Sequence, residues 1–336
     1  MREVSQKPSM TEPLIVCENL VKIYKVTEIE VVALQGLDLT VEPGELMGIV
    51  GASGSGKSSL LNVLGGLDRP SAGRVMVSGQ DLLKMSDHEL DRYRRTKVGF
   101  VWQQVARNLV PYLSAQANVE LPMTVANLSG KQKRARSREL LEAVGLWDRR
   151  DHRLVQLSGG QQQRVAIAVA MANQPDLLLA DEPTGELDSA TAQQILELLQ
   201  QMNRRYGLTT IIVTHDPHIA RAVNRVVTIR DGRISSETIR REDDVASALT
   251  AGITASHPQH IFEEYLVVDE GGHLQLPHDL TERAGIGDRV TLELKEDGLL
   301  IKPVAGRSTV AAPLIAVPED EPPAKRKAWW KRGKKD

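Results

Sequence analysis

Hydrophobic positions along this chain follow two different periods, and the period changes from segment to segment. A period of two, or a short unbroken apolar run, predicts strands over residues 14–24, 30–41, 46–50, 74–78, 98–102, 177–182, 209–214 and 226–230. A period near 3.6 predicts helices over residues 59–64, 86–95, 114–121, 132–144, 165–172 and 187–202. Strands that alternate with helices in this way predict an α/β fold.

The last third of the chain has a different pattern. Residues 237–260 are polar and predict a short helix and a linker, whereas short strands and turns follow from residue 262. They are predicted as a strand at 265–268 with a return strand at 274–276, a helix at 277–284, and a hairpin that joins 288–294 to 299–302. About forty residues of this kind cannot bury an adequate core alone, so we expect them to dimerise by interleaving hairpins.

These patterns divide the 336-residue chain into five predicted regions. They are a flexible N-terminus (1–13), a main α/β domain (14–236), a linker (237–260), a small β-rich domain (261–304) and a disordered basic tail (305–336).

Composition narrows the classes of function. The net charge is −2 and aromatic residues make up 3% of the chain, which argues against a general polyanion binder and an aromatic nucleic-acid platform. The single cysteine, Cys17, excludes an internal disulfide and a cysteine-rich zinc site. Residues 1–13 lack a signal-peptide core, and no window approaches a membrane span in length. The cytoplasm is therefore the expected compartment.

Residues 51–58, with the sequence GASGSGKS, match the phosphate-binding pattern G-x-x-x-x-G-K-[ST] between a predicted strand and a predicted helix. Glycines let backbone N–H groups converge on an anion, and the helix N-terminus adds positive partial charge. Lys57 could reach the β- and γ-phosphates, and the Ser58 hydroxyl could hold Mg²⁺. The alternative is a Gly/Ser-rich surface loop, which the strand–helix context disfavours. The residues predicted to bind a nucleotide here are Gly51, Ser53, Gly54, Ser55, Gly56, Lys57, Ser58 and Ser59.

Residues 157–164, with the sequence LSGGQQQR, open a predicted helix whose start could bind an anion; taken alone, the segment would be a helix cap. Ser158 is a good N-cap, and Gly159 and Gly160 leave the helix N-terminus open. A near-copy at residues 128–132, LSGKQ, lacks the second glycine, and no acidic strand follows it. We therefore interpret the near-copy as a simple helix cap.

Charged residues at strand ends supply the candidate chemistry. Asp181 and Glu182 end an apolar strand, where ligands bind in a parallel sheet. Asp181 is expected to bind Mg²⁺ directly or through water, and Glu182 to orient and polarise the attacking water; the alternative is a helix N-cap acid. His215 could contact a γ-phosphate, or it could be structural. Tyr24 could stack on adenine or could simply pack.

The order of these motifs resembles that of the ABC-type ATPases over about residues 14–235. The resemblance implies a P-loop ABC ATPase domain with an antiparallel β subdomain and a helical subdomain. It also implies a head-to-tail homodimer in which each ATP lies between one phosphate loop and the partner's residues 158–161. ATP would close this dimer and hydrolysis would release it. The residues similar to Walker A, Q-loop, signature, Walker B, D-loop and switch histidine are 51–58, Gln103, 157–164 (with Ser158, Gly159, Gly160 and Gln161), Asp181–Glu182, Asp188 and His215.

Within that family, residues 85–95, 108–111 and 118–122 resemble the subfamily that powers lipoprotein release, macrolide export and cell-division-type mechanotransmission. This resemblance implies an ATP-hydrolysing subunit beneath a separate integral membrane permease, peripheral on the inner face of the cell membrane. Export or lipoprotein and lipid handling is the implied task. The alternatives are a soluble ABC ATPase and an ATP-responsive DNA-binding regulator.

Two features depart from the subfamily pattern. The segment between Gln103 and Asn108 is longer than usual, and Gln104 duplicates the glutamine. Either glutamine could therefore be the implied catalytic and Mg²⁺-binding Q-loop residue, although Gln103 is the first choice. Glu186 has no predicted role.

The C-terminal region carries a second resemblance. Residues 268–277, VDEGGHLQLP, followed by GDRV at 287–290, are similar to the AbrB/MazE-type swapped-hairpin domain, which often binds DNA through basic residues. Residues 262–303 carry ten acidic residues against four Lys and Arg, and His273 stands where that family usually has Arg. Phosphate neutralisation needs clustered cations, so we expect a dimerisation clamp and no DNA binding. The basic tail with Trp329–Trp330 is expected either to be a solubilising segment or to contact an anionic membrane surface.

Overall fold

The computed structural model describes residues 12–26, 29–216, 219, 222–240, 262–269, 271–287, 290–295 and 298–303. The chain divides into a larger compact unit, Met1–Leu276, and a smaller one, Pro277–Asp336. The predictions for residues 1–11, for the linker from residue 241 onward and for the basic tail lie outside the described residues.

The larger unit alternates strands and helices, as its apolar periodicity predicts. Its strands are β1 (Ile15–Val26), β2 (Ile29–Val41), β3 (Leu46–Val50), β4 (Ala72–Val77), β5 (Gln80–Asp81), β6 (Val98–Val101), β7 (Leu177–Asp181), β8 (Thr209–Val213), β9 (Arg225–Arg230), β10 (Arg233–Arg240) and β11 (Phe262–Leu266). Its α-helices are α1 (Lys57–Leu64), α2 (Asp87–Thr96), α3 (Ala115–Val125), α4 (Gly130–Ala143), α5 (Gly159–Ala170) and α6 (Ser189–Tyr206).

Two sheets organise these elements. One has seven strands in the order β11-β10-β9-β3-β8-β7-β6, in which β9, β3, β8, β7 and β6 pair in parallel. The other has four antiparallel strands in the order β2-β1-β4-β5. The predicted α/β fold with an antiparallel β subdomain and a helical part is therefore confirmed.

Strand β7 shows why the parallel strands lie in the middle of the core. Its first four residues are fully buried, and successive side chains point to opposite faces. Leu177 and Leu179 pack in a cluster with α1 and the antiparallel sheet, whereas Leu178 and Ala180 pack in a cluster with α3 to α6. The unbroken apolar run is needed because both faces are covered.

The C-terminal edge of the seven-stranded sheet differs from the prediction. The main domain was expected to end at residue 236 and the small β domain to begin at 261. Instead β10 continues to Arg240, and β11 pairs with it antiparallel from Ser236↔Leu266 to Arg240↔Phe262. The exposed backbone groups of an edge strand are a template for such pairing. Only an isolated bridge, Val268↔Leu274, stands in the described residues where the predicted return strand was expected.

The smaller unit contains the predicted helix and hairpin. They are α7 (His278–Arg283), β12 (Val290–Lys295) and β13 (Gly298–Pro303), with β12 and β13 antiparallel from Val290↔Pro303 to Lys295↔Gly298. Apolar residues alternate along β12, and both Leu292 and Leu294 are exposed, Leu294 by 87%. The apolar face of this hairpin is therefore uncovered within the described chain.

Among the helices in the described part of the chain, none has both the length and the apolar character that crossing a bilayer requires.

Candidate functional site

The carboxyl ends of β3, β7 and β8 open onto one cleft of about 330 Å³. In a parallel sheet these ends meet at one edge, so side chains that are far apart in sequence come together. The cleft is lined by Ser53, Gly54, Gly56, Lys57, Ser58, Ser59, Gln103, Asp181, Glu182 and His215. The predicted phosphate loop, carboxylates and strand-end histidine therefore lie in one place.

The phosphate loop, residues 51–58, connects β3 to α1 through backbone conformations that favour glycine. Gly51 and Gly56 have φ values of 154° and 106°. A Cβ on Gly51 would overlap the Ile229 carbonyl oxygen, and one on Gly56 would lie 2.5 Å from the Ala33 carbonyl oxygen. The loop is thus held against neighbouring backbone, which leaves no room for side chains at these positions.

Lys57 closes this loop from inside. Its ammonium group donates hydrogen bonds to the carbonyl oxygens of Gly51 and Ala52, both at 2.8 Å. The side chain is buried in the first turn of α1, so its charge adds to the positive partial charge of the helix N-terminus. The result is a concentrated positive potential suited to a phosphate chain.

Ser58 and Asp181 form an oxygen-rich pair beside Lys57. The Ser58 hydroxyl donates to Asp181 Oδ1 at 3.4 Å. Burial raises the pKa of Asp181, while the Ser58 hydrogen bond and the Lys57 charge oppose that rise. Hydroxyl, carboxylate and amide oxygens are the hard ligands that Mg²⁺ prefers, so the donor set of Ser58, Asp181 and Gln103 fits that ion.

The two consecutive glutamines have different surroundings. Gln103 lines the main cleft and also a second cavity of about 360 Å³, whereas Gln104 lines the second cavity and not the main cleft. That cavity is bordered by Gly159 and by Glu186, the acidic residue without a predicted role. Of the two glutamines, Gln103 is therefore the one that lines the same cleft as Ser58 and Asp181.

Asparagines that sequence reasoning noted only as part of a pattern hold the segment after β6. Asn108 accepts from the Trp102 N–H at 2.9 Å and donates to the Phe100 carbonyl at 2.6 Å, so it closes the loop that carries both glutamines. Asn118 is buried and bonds both backbone groups of Val110, at 2.7 and 3.2 Å. An Asn beside an irregular segment is the signal that could have indicated this role.

Glu182 is held in an uncommon conformation at the end of β7. Its φ is +48°, a left-handed value that costs a non-glycine residue about 1–2 kcal/mol. Its N–H donates to the Val213 carbonyl at 2.9 Å, and the Thr214 hydroxyl donates to its Oε2 at 3.1 Å. His215 Nδ1 lies 2.9 Å from its Oε1. Strain of this kind is retained where neighbouring contacts enforce it, often at functional sites.

Thr214 is a partner that sequence reasoning missed. Nothing in the sequence distinguishes it from other threonines of a β-branched strand, although its position beside His215 could have drawn attention to it.

The signature turn, residues 158–161, lies outside the lining of the cleft. Ser158 caps α5 with a reciprocal bond to Gln161, and a Cβ on Gly160 would overlap Thr191 Cγ2. Asp188 caps α6 by accepting from the Thr191 N–H at 3.0 Å and hydroxyl at 2.7 Å, and the hydroxyl bond is the main cause that lowers the pKa of Asp188. The signature turn and Asp188 both contact Thr191, so they belong to one surface that is separate from the lining of the cleft.

Tyr24 also lies outside the residues that line the cleft. Its hydroxyl donates to Asp68 Oδ2 at 2.8 Å, and the Lys22 ammonium lies 4.6 Å from the ring centroid. Burial is the main cause that raises the pKa of Tyr24. These contacts show packing, and adenine stacking stays a prediction.

This chain is similar to known proteins over about two thirds of its length. Residues 34–185 match the family model described as ABC transporter. Over 230 residues the chain is 46% identical to the lipoprotein-releasing system ATP-binding protein LolD 2 of Caulobacter vibrioides, covering 68% of this chain and 100% of that protein. Over 242 residues it is 46% identical to the macrolide export ATP-binding/permease protein MacB 2 of Aeromonas hydrophila. That match covers 72% of this chain but only 37% of the relative.

Solved structures show the same similarity. A dimeric ATP-binding cassette in a post-hydrolysis state, bound to ADP and Pi, superposes with a TM-score of 0.61 at 43% identity, covering 66% of this chain and 97% of that one. A dimeric bacterial ABC transporter cassette gives a TM-score of 0.61 at 44% identity, with the same coverage.

Proposed function

We propose, from the premise that this chain belongs to the ABC transporter family as an ATP-binding and ATP-hydrolysing subunit, that it works as a head-to-tail homodimer beneath a separate membrane permease. One observation carries the proposal: the signature turn and Asp188 line no part of the cleft that holds the phosphate loop. A site divided in this way is completed when a second copy brings its signature turn to the nucleotide. The dimeric cassettes to which this chain is similar support that arrangement.

Binding of ATP follows from the charge distribution in the cleft. The phosphate loop N–H groups and Lys57 would hold the triphosphate, and the open start of α5 in the partner copy would contact it from the other side. Ser58, Gln103 and Asp181 would hold Mg²⁺, which neutralises phosphate charge when it is bound. Tyr24 remains the proposed contact for adenine.

Hydrolysis is assigned to the end of β7. Glu182 would orient the attacking water and accept its proton, since it is the carboxylate at the rim of the cleft held by Thr214 and His215. His215 would contact the γ-phosphate. Loss of that phosphate would remove the bridge between the copies, so the dimer would open. ATP hydrolysis would in this way drive a conformational change.

Replacement of the proposed general base tests the assignment. Glu182→Gln should keep ATP binding, lower kcat about 100-fold or more, and stabilise the ATP-bound dimer. Phosphate release, nucleotide titration and light scattering with ATP measure the three effects. Glu197→Gln, an exposed change on α6, is the control and should match the wild type. Turnover of Glu182→Gln near the wild-type rate would remove Glu182 from this role.

The proposed task is export or lipoprotein and lipid handling, at the cytoplasmic face of the membrane. The relatives named for lipoprotein release and macrolide export support it. The basic tail would add contact with anionic lipid, which sedimentation with anionic and neutral vesicles tests. A pull-down from solubilised membranes, with tagged Glu182→Gln and ATP, should recover one integral membrane protein. Recovery of only soluble proteins or nucleic acid would favour the soluble ATPase or the DNA-binding regulator.

The small β-rich region at residues 261–304 is proposed to be an AbrB/MazE-like dimerisation element. The uncovered apolar face of the β12–β13 hairpin supports this, because an isolated hairpin is at best marginally stable in water. In the full chain without ATP, Leu294→Glu should shift the wild-type dimer to a monomer in light scattering. Thr291→Glu, on the opposite face of β12, should leave the dimer intact. A wild-type chain that is monomeric without ATP would contradict the proposal.

A further inference from the structure

The Glu182 carboxylate has two protein partners that differ sharply in exposure. The side chain of His215 is 72% exposed, whereas Thr214 is only 3% exposed. An exposed ring can change partners when a substrate enters the cleft. A buried hydroxyl has few alternatives, so Thr214 is the more permanent of the two contacts.

The hydrogen bonds around Thr214 fix the direction of its hydroxyl. The hydroxyl oxygen accepts from the Asp216 N–H at 3.1 Å and donates its one proton to Glu182 Oε2 at 3.1 Å. An ionised carboxylate can only accept, so the geometry and the chemistry agree. The backbone N–H of Thr214 also donates to the Ile49 carbonyl at 3.0 Å, in the strand that leads into the phosphate loop.

Two adjacent residues therefore hold both ends of Glu182. The Val213 carbonyl accepts from the Glu182 backbone, and the Thr214 hydroxyl binds its carboxylate. Because the Glu182 backbone is in the left-handed region, its side chain leaves β7 in a direction that regular strand geometry does not set. The hydrogen bond from the Thr214 hydroxyl fixes the direction of the Glu182 side chain.

We infer that Thr214 is a positioning residue for ATP hydrolysis: it holds Glu182 Oε2 so that Oε1 is aimed at the attacking water when His215 turns to the nucleotide. This inference rests on the proposed catalytic role of Glu182. Thr214 itself is not among the residues that line the cleft.

The test compares two buried threonines of the same segment. Thr214→Val keeps the shape of the side chain and removes the hydroxyl; it should lower kcat about tenfold or more, because misdirected catalytic groups cost that much. The KM for ATP should stay within about twofold, since only a step after binding is affected. Thr214→Ser, which keeps the hydroxyl, should restore kcat. Thr210→Val is the matched control: Thr210 is fully buried in β8, its hydroxyl bonds the Leu208 carbonyl at 3.4 Å, and its loss should leave kcat unchanged.

Three outcomes would overturn the inference: Thr214→Val with wild-type kcat, Thr214→Ser as slow as Thr214→Val, or Thr210→Val equally slow. If Thr214→Val does not fold, Thr214→Ser and Thr214→Ala still differ by the hydroxyl alone, and equal rates for that pair would be decisive against it. In single-turnover assays Thr214→Val should cause no further loss on the Glu182→Gln background, because residues that act as a unit are not additive.

The same experiments separate the two proposals. If Glu182→Gln is nearly inactive while Thr214→Val is fully active, only the positioning role fails. If Glu182→Gln turns over normally, the catalytic assignment fails first.

Discussion

Helices α4 and α5 begin in the same way, yet only α5 begins beside the proposed site. Ser129 and Ser158 each accept from the N–H of the glutamine three residues on, at 3.4 Å. In each case that glutamine accepts from the serine N–H at 3.0 Å. The backbone angles of the two serines also agree, with φ of −64° and −65°. A serine cap with an open glycine is therefore a local structure that marks no anion site by itself.

The difference lies in what surrounds each turn. A Cβ on the residue after each serine, Gly130 or Gly159, would meet only one side chain, at 3.7 and 3.6 Å. The next residue differs: α4 has Lys131 there, whereas α5 has Gly160, on which a Cβ would overlap Thr191 of α6. Gly159 lines the cavity that it shares with Gln103 and Gln104, so α5 starts where the two site surfaces adjoin. The two helix caps are therefore distinguished by contacts with residues distant in sequence, and the local sequence does not show these contacts.

The largest difference in stability and ATPase activity between the two helix starts is expected when a methyl group is added to Gly160 or to Gly130. Gly160→Ala should force α5 and α6 apart, cost about 1–3 kcal/mol of stability by overpacking, and lower kcat about tenfold or more through misplaced groups. Gly130→Ala has room and should change stability by about 0.5 kcal/mol or less. Urea denaturation and ATPase assays measure both variants. Equal changes in stability and kcat for the two variants would show that the contact between Gly160 and Thr191 is not important.

A smaller effect is expected from the two serines. Ser129→Ala and Ser158→Ala should each lose about 1 kcal/mol of stability, since each removes an N-cap of the same geometry. ATPase activity should fall in Ser158→Ala alone, because only that turn is proposed to contact a nucleotide. Chemical denaturation and steady-state assays on the same preparations test the comparison. A loss of activity in Ser129→Ala beyond its loss of folded protein would contradict it.

The smallest effect concerns pH. Helix α6 is capped by a carboxylate, Asp188, whose pKa is lowered chiefly by the Thr191 hydroxyl bond. A carboxyl with a lowered folded-state pKa contributes stability above its ordinary pKa of about 3.9, and that contribution is lost as the pH falls through the folded-state value. The wild type should therefore be more stable than Asp188→Asn at pH 6, and the gap should shrink towards about pH 3. A gap in the urea midpoints that is constant with pH would show that the charge of Asp188 is not involved.

Sequence alone predicted the parts of the site whose chemistry is local. The glycine pattern of residues 51–56 itself indicates a loop with backbone conformations that other residues disfavour. An apolar run that ends in Asp181 and Glu182 indicates the end of a buried strand. The pattern could not choose between Gln103 and Gln104, because both have the same side chain and only the fold places Gln103 in the lining of the cleft.

Non-local pairings were the part that the pattern could not supply. The bond between Thr214 and Glu182 joins residues 32 apart in sequence. The addition of β11 to β10 uses backbone groups that every residue carries. Such backbone pairing leaves no signal in side-chain periodicity, so the boundary expected near residue 261 fell elsewhere.

The crowding at Thr191 has a mechanical consequence. Gly160 packs closely against this threonine, and Asp188 accepts two hydrogen bonds from the same residue. The first turns of α5 and α6 are therefore in direct contact at Thr191. A displacement of one helix start would therefore act on the other by direct contact. In the proposed dimer, a nucleotide gripped by one signature turn would thereby set the position of the neighbouring Asp188.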